Sequence, residues 1–169
     1  SYKLIVEKST VPVETGEKVA RAIRAYNSHK VDFDVVSNPE FLREKTALKD
    51  FFNPPFIVVG AEKKNVGKKV IDYYWKINAK KFIVDENVAQ MIKYASNSFH
   101  ALKVAFTNEL AEICRKARVD SNSLMNLFCE DTHLNISPHY LNSGKAYDGR
   151  CLPKDLAVLQ KKGKELGVR

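Results

Sequence analysis

Residues 86–118 read ENVAQMIKYASNSFHALKVAFTNELAEICRKAR, a stretch that contains neither proline nor glycine. Apolar side chains recur along it in steps of three and four, the period of one helical face. They are Val88, Ile92, Ala95, Phe99, Leu102, Phe106, Leu110 and Ile113. The pattern predicts one amphipathic helix about 45 Å long. Such a helix links domains or forms a subunit interface; the alternative is a core helix of a larger domain.

The residues before this helix alternate between strand-like and helix-like patterns. Strands are predicted at 2–7, 33–36, 56–60 and 82–84, and helices at about 14–29 and 64–77. In the second of these helices, Val66, Val70, Tyr73 and Tyr74 are expected to face inward. Such alternation is typical of an α/β sheet, whose ligands bind at the carboxyl edge of the strands.

The residues after the long helix are expected to form shorter helices. One is predicted at 120–130, capped by Asp120 or Ser121, and another from Pro153 to about Leu166, with loop or broken helix between them. The expected fold class is therefore α/β followed by all-α.

Composition and charge narrow the function classes. The chain has 169 residues, of which 44% are hydrophobic and 28% charged, so a folded core is expected. The net charge is +8, but the lysines are dispersed, which favours solvated helix faces over nucleic-acid binding. No apolar run reaches the roughly 18–20 residues of a membrane helix.

The three cysteines have no metal-ligand spacing, and no metal site is expected. Their odd number suits a reducing, cytoplasmic compartment. Cys114 and Cys129 lie in apolar helical stretches and are predicted to be core residues.

The third cysteine, Cys151, lies where a loop with Gly144 and Gly149 meets the helix that Pro153 begins. Unpaired backbone N–H groups at a helix start favour the thiolate, and Arg150 and Lys154 act in the same direction. Asp155 is close enough in sequence to act as a base or to orient one. The pattern is that of a nucleophile; the alternative is an inert small residue near a turn.

Four stretches resemble, in order and spacing, the UDP-glucose/GDP-mannose dehydrogenases, which are NAD-dependent nucleotide-sugar 6-dehydrogenases. They are EKSTVP at 7–12, SNPEFLRE at 37–44, MIKYASN at 91–97 and GRCLPKD at 149–155, and the resemblance covers nearly the whole chain. It implies that residues 1–85 are the C-terminal part of a Rossmann-like NAD-binding domain. Residues 86–169 would be the central helical domain, which dimerises through helix 86–118. No Gly-x-Gly-x-x-Gly occurs and the family's third domain is missing, so we expect a piece of a longer protein.

The resemblance implies a role for each matching catalytic residue. A primary alcohol would be oxidised to the acid by two hydride transfers to NAD, with Cys151 carrying the intermediate first as a thiohemiacetal and then as a thioester. Lys93 would stabilise the oxyanions, with Asn97 donating beside it. Asp155 and Thr10 would handle a catalytic water, and Glu40 would assist thioester hydrolysis.

The resemblance also implies the binding residues. Those implied for the cofactor NAD are Ser9, Thr10, Glu44, Cys151 and Lys154. Those implied for the nucleotide sugar are Glu40, Phe41, Leu42, Lys93, Asn97, Asn135, Tyr140, Asn142, Tyr147 and Gly149, with the backbone of 142–149 around the sugar. Residues 134–137 resemble the GDP-mannose branch, whereas 139–140 and Tyr147 resemble bacterial UDP-glucose enzymes; we lean towards GDP-mannose. The alternative function is a dimerisation module without activity.

Overall fold

In the part of the chain that the structure, a computed structural model, describes, four strands and six helical segments lie within residues 1–137, and residues 163–165 are also helical. That part comprises residues 1–137, Pro153, Ala157, 160–161 and 163–168, with the backbone alone at Glu44. The chain divides into two compact units, Ser1–Phe99 and His100–Arg169. Within the described part, none of the helices combines the length and the apolar character that crossing a membrane requires.

The first unit has the predicted alternation of strands and helices. Its elements are β1 (Lys3–Glu7), α1 (Thr15–Tyr26), β2 (Phe33–Ser37), a 3-10 turn (Glu44–Thr46), α2 (Ala47–Phe52), β3 (Ile57–Gly60), α3 (Lys64–Tyr73), β4 (Lys81–Val84) and the start of α4 (Glu86–Ala117). The α/β fold class is thus confirmed. The short helix α2 was not predicted, because its six residues are too few to establish a helical period.

The strands form one sheet in the order β1-β2-β3-β4. Strands β1 and β2 are parallel, as are β3 and β4, but β2 and β3 are antiparallel and pair at Ser37 and Gly60. In this register Glu7, Ser37, Gly60 and Val84, the last residues of the four strands, form one row across the sheet. The side chains that follow β1 and β2 therefore come out at the same edge.

The core of this unit lies between the sheet and α3. Val36, Val59, Ala61, Val66 and Val70 are buried together, with Leu4, Val6, Ile71 and Tyr74 packed against them. Two details of the prediction are wrong. Helix α3 ends at Tyr73, and the side chain of that residue is exposed rather than inward.

Helix α4 has the predicted length class, with 32 residues and about 48 Å. Within this chain, several positions of its apolar stripe are not covered by other residues. Val88, Phe99, Leu102 and Phe106 are all exposed in this chain. The apolar surface of α4 is thus available for burial against another domain or subunit.

The second unit contains the part of α4 that begins at His100 and the whole of α5 (Ser121–Glu130). Asp120 caps α5 by accepting a hydrogen bond from the backbone N–H of Asn122 at 3.0 Å, as one of the two predicted caps. Cys114 is buried as predicted, but Cys129 is exposed, so the prediction for Cys129 is wrong. Its apolar sequence neighbours therefore did not indicate its burial.

Candidate active site at the edge of the sheet

The site is organised by Asn38, the first residue after β2, which is 2% exposed. Its backbone N–H donates to the carbonyl of Glu7 at 2.7 Å, and its Nδ2 donates to the carbonyl of Val58 at 2.8 Å. Pro39 follows and ends the strand, since it has no N–H to continue the ladder. Asn38 is thereby held by both neighbouring strands, and the position of the next residues is determined by the sheet.

Two polar side chains, those of Lys8 and Tyr74, converge on the Oδ1 atom of Asn38 and contact each other. Lys8 Nζ donates to Asn38 Oδ1 at 2.9 Å and to the Tyr74 hydroxyl at 2.6 Å. The Tyr74 hydroxyl donates to the same Oδ1 at 2.5 Å. Lys8 Nζ also pairs with Glu40 Oε1 at 3.1 Å. All three N–H bonds of the ammonium group thus have acceptors. We call Lys8, Asn38, Glu40 and Tyr74 the Lys8 cluster.

Lys93 reaches the same neighbourhood from α4. Its Nζ lies 5.3 Å from the centroid of the Phe41 ring, within cation–π range. The Phe41 ring packs in turn on Phe56, with centroids 4.7 Å apart. Glu40 and Lys93, two charged residues with implied catalytic roles, are therefore placed on neighbouring parts of one surface. Asn97 is one helical turn further along and exposed.

The residues implied for cofactor binding are only partly described. Ser9 and Thr10 are exposed in the loop directly after Lys8. Glu44 begins the 3-10 turn. The exposed hydroxyls follow β1 at the carboxyl edge of a parallel strand pair, where doubly wound sheets bind dinucleotides, so they fit an NAD site.

An ion pair holds the turn that follows Leu42. The carboxylate of Asp50 accepts hydrogen bonds from the backbone N–H of Arg43 at 2.9 Å, from its Nε at 3.0 Å and from its Nη2 at 2.7 Å. Thr46 Oγ1 adds a fourth at 2.8 Å. These hydrogen bonds, those from Arg43 above all, hold the pKa of Asp50 well below its ordinary value. The path of the chain from Phe41 to α2 is fixed in this way.

A second polar cluster joins the sheet to α4 behind this surface. Gln90 Nε2 donates to Ser37 Oγ at 3.0 Å and to Glu7 Oε2 at 3.3 Å, and Ser37 Oγ donates to Glu7 Oε2 at 2.9 Å. Burial raises the pKa of Glu86, and the charge of Glu7 raises it further, whereas the hydroxyl of Ser37 acts in the opposite direction. These contacts attach the first turns of α4, and hence Lys93, to the edge of the sheet.

The remaining implied residues are placed as follows. Leu42 is half-buried beside Phe41. Asn135 lies in the second unit, where its Nδ2 donates to the carbonyl of Phe128 at 3.3 Å. Outside the described residues lie Tyr140, Asn142, Tyr147, Gly149, Cys151, Lys154 and Asp155.

Sequence reasoning missed Lys8, Asn38 and Tyr74 as residues of the site. A signal existed for the first two, since Lys8 directly follows the strand predicted at 2–7 and Asn38 lies two residues after the strand predicted at 33–36, at the edge where ligands bind. Tyr74 gave no such signal, because it was assigned to the core face of a helix.

Comparisons with known proteins identify two domains of one family, which together cover nearly the whole chain. Residues 1–78 match the NAD-binding domain of the UDP-glucose/GDP-mannose dehydrogenase family, and residues 87–169 match the central domain of the same family. The first match confirms the prediction of NAD as cofactor. The domain boundary predicted at residue 85 stays a prediction.

Individual relatives are similar at the level of sequence and structure. GDP-mannose 6-dehydrogenase of Pseudomonas aeruginosa is 37% identical over 169 residues, covering 99% of this chain and 39% of its own length. The ternary-complex crystal structure of GDP-mannose dehydrogenase from the same species has a TM-score of 0.95 at 38% identity, over 100% of this chain and 39% of its own. A UDP-glucose dehydrogenase from Pyrobaculum islandicum has a TM-score of 0.74 at 39% identity, over 99% and 38%. The chain thus spans about two fifths of these relatives.

Proposed function

The chain belongs to the UDP-glucose/GDP-mannose dehydrogenase family, and we propose that the protein containing it oxidises a nucleotide sugar at C6 to the uronic acid. The observation that carries the proposal is the placement of Glu40 and Lys93. Glu40 pairs with Lys8, and Lys93 lies against Phe41, the residue next to Glu40. A carboxylate and an ammonium group at the carboxyl edge of the sheet suit proton transfer and oxyanion stabilisation.

The reaction proposed is a four-electron oxidation in which bound NAD accepts a hydride at each of two steps. Cys151 adds to the aldehyde, and the second oxidation converts the thiohemiacetal into a thioester. A thiolate suits both steps, because it adds reversibly to an aldehyde and leaves readily on hydrolysis. Lys93 and Asn97 donate to the oxygen that becomes negatively charged, and Thr10 and Asp155 orient a water and its proton.

We propose the binding residues from the same resemblance to the family. Ser9, Thr10 and Glu44 would hold the nicotinamide end of NAD, with Cys151 and Lys154 close by. Phe41, Leu42 and Asn135 are among the residues proposed to bind the sugar nucleotide. Tyr140, Asn142, Tyr147 and Gly149 would complete its site. GDP-mannose is the proposed substrate, because residues 134–137 resemble that branch and several relatives are named GDP-mannose 6-dehydrogenase.

The test is NADH formation by the complete protein that contains this chain. It is incubated with NAD and with GDP-mannose or UDP-glucose in turn, and NADH is followed by absorbance. We expect two NADH per sugar oxidised and loss of the acid product in Cys151→Ser. Cys129→Ser, a cysteine change on the exposed face of α5, serves as the matched control and should keep its activity. Absence of NADH with every sugar nucleotide, or full activity of Cys151→Ser, would contradict the proposal.

A second candidate function is that of a dimerisation module without activity of its own. The exposed apolar residues of α4 favour it, since a surface stripe of this kind is buried when two copies pair. The 169-residue chain alone would then dimerise, without turnover and without tight NAD binding. A monomer in light scattering at high concentration would contradict the dimer, and turnover by the isolated chain would contradict its inactivity.

We place the complete protein in the cytoplasm, as the odd number of cysteines suggests.

A further inference from the structure

We infer that Lys8 is a positioning residue for Glu40, whose carboxylate it holds in the orientation needed for thioester hydrolysis. This inference rests on the proposed function and adds to it a residue with no role there. The observation behind it is that Lys8 bridges the sheet to Glu40, with Nζ 2.9 Å from Asn38 Oδ1 and 3.1 Å from Glu40 Oε1.

The anchoring side of this bridge is rigid. Asn38 donates through Nδ2 to the carbonyl of Val58, and a lysine ammonium has no acceptor, so both contacts require Oδ1 to face Lys8. Tyr74, directly after α3, accepts from Lys8 and donates to the same Oδ1. Two of the three ammonium N–H bonds are thus fixed by acceptors on Asn38 and Tyr74, the residues that directly follow β2 and α3.

The third N–H bond is directed at Glu40 because the other two are occupied. The side chain of Glu40 is 33% exposed, so without Lys8 its carboxylate would be free to adopt several rotamers. A partly exposed ion pair adds little to stability, so we assign this one a role in orientation. Lys8 also directly precedes Ser9 and Thr10, which couples the position of Glu40 to the loop proposed to contact the cofactor.

The step that Lys8 would support is hydrolysis of the thioester. Glu40 accepts a proton from a water molecule as the water oxygen bonds to the acyl carbon. The tetrahedral intermediate then expels the Cys151 sulfur, and the carbon–sulfur bond breaks. The proton held by Glu40 returns to that sulfur, so one water is consumed, a carboxylic acid and a thiol are formed, and no electrons are transferred. A misplaced Glu40 slows this step and leaves both hydride transfers intact.

The experiment compares variants of the complete protein in rapid-quench kinetics and intact-mass spectrometry. Lys8→Met removes the ammonium group and keeps an unbranched apolar stem. We expect kcat to fall roughly 10- to 100-fold, as for a misplaced catalytic group, and KM to fall with it because hydrolysis of the acyl adduct then limits turnover. The first turnover should still form two NADH, and the acyl adduct should accumulate on the protein. Lys18→Met, an exposed lysine in α1 that pairs only loosely with Glu14 at 3.9 Å, is the matched control and should keep kcat.

A double-mutant cycle separates positioning from a structural effect. If Lys8 acts through Glu40, Lys8→Met combined with Glu40→Gln should be no slower than Glu40→Gln alone, within about threefold. Tyr74→Phe, which removes a single oxygen atom, should give a smaller fall in kcat with the same acyl adduct, and it serves if Lys8→Met does not fold.

Three results would overturn the role of Lys8 while leaving the proposed function intact. They are unchanged kcat in Lys8→Met, a fall in kcat without acyl adduct, and additive effects of Lys8→Met and Glu40→Gln. A wild-type protein that forms no NADH with any sugar nucleotide would overturn both.

Discussion

Replacing Gly60 by alanine should loosen the attachment of α4 to the sheet. Gly60 is the buried last residue of β3, and a Cβ atom built on it would lie 2.6 Å from the Cβ of Ala89 and 2.7 Å from the Cα of Glu86. Carbon atoms in van der Waals contact lie about 3.5–4.0 Å apart, so the start of α4 would have to move by roughly 1 Å. Because the nearest atoms belong to the helix backbone and to a buried alanine, no flexible side chain can absorb the shift.

The magnitude follows from two opposing terms. Forcing an extra methyl group into a packed contact destabilises by about 1–3 kcal/mol. The alanine also restricts the unfolded chain, which returns about 0.4–1 kcal/mol. We therefore expect Gly60→Ala to lower the free energy of unfolding by about 1–2 kcal/mol, with the contact term larger because two close contacts arise from one methyl group.

The assay is urea-induced unfolding of the complete protein, followed by circular dichroism, with Gly163→Ala as the matched control. A Cβ atom on Gly163 would lie 3.7 Å from Ile113 Cδ1 and 4.0 Å from Val168 Cβ, which is ordinary contact. In this helical position alanine should stabilise by about 0.5–1 kcal/mol relative to glycine. The same substitution should therefore have opposite signs at the two sites. A Gly60→Ala protein as stable as the wild type would refute the close packing of α4 on β3.

Three further predictions concern charge and backbone strain. Glu86→Gln should stabilise the fold at neutral pH, because the raised pKa of Glu86 means that folding opposes its ionisation. The gain in stability should vanish as the pH falls below about 4.5, and a gain independent of pH would contradict this. Asp50→Asn should destabilise at neutral pH in thermal melts, because it breaks the ion pair with Arg43. Since the pKa of Asp50 is lowered, the stability that this pair contributes to the wild type is complete above about pH 3.8 and is lost as the pH falls further. Equal acid sensitivity of variant and wild type would count against this role of the pair. Glu14→Gly should stabilise the fold by about 1 kcal/mol, because Glu14 has a φ of 70°, in the left-handed region that glycine adopts without a Cβ clash. An unchanged melting temperature would argue against backbone strain at this residue.

Much of the fold could be predicted from local patterns. The strands lie within one residue or so of the predicted ranges, and the uninterrupted run from Glu86 to Ala117 is one helix, because period and the absence of breakers are properties of neighbouring residues. The exposure of Tyr73 and Cys129 could not be predicted in this way. Burial depends on what packs against a helix. An apolar residue that faces solvent can have the same kinds of sequence neighbours as one that faces the core.

The candidate site was predictable in part. The resemblance identified Glu40 and Lys93, and the structure places them on neighbouring parts of one surface through Phe41. The motif at 7–12 gave no role to Lys8, since a lysine after a strand is usually solvated and its partners here are distant in sequence. Asn38 is 30 residues away from it and Tyr74 is 66 residues away.

The sequence by itself determined most of the elements, the family and the chemical types of the proposed catalytic residues, because these depend on periodicity and on short motifs. Only the tertiary structure decided the reversed pairing of β2 with β3 and the convergence of Lys8, Asn38, Glu40 and Tyr74. Strand direction and register are set by contacts between segments far apart in the chain, and the same register that aligns Glu7 with Ser37 brings Lys8 beside Asn38. A local pattern carries no record of that alignment, and the role inferred for Lys8 depends on it.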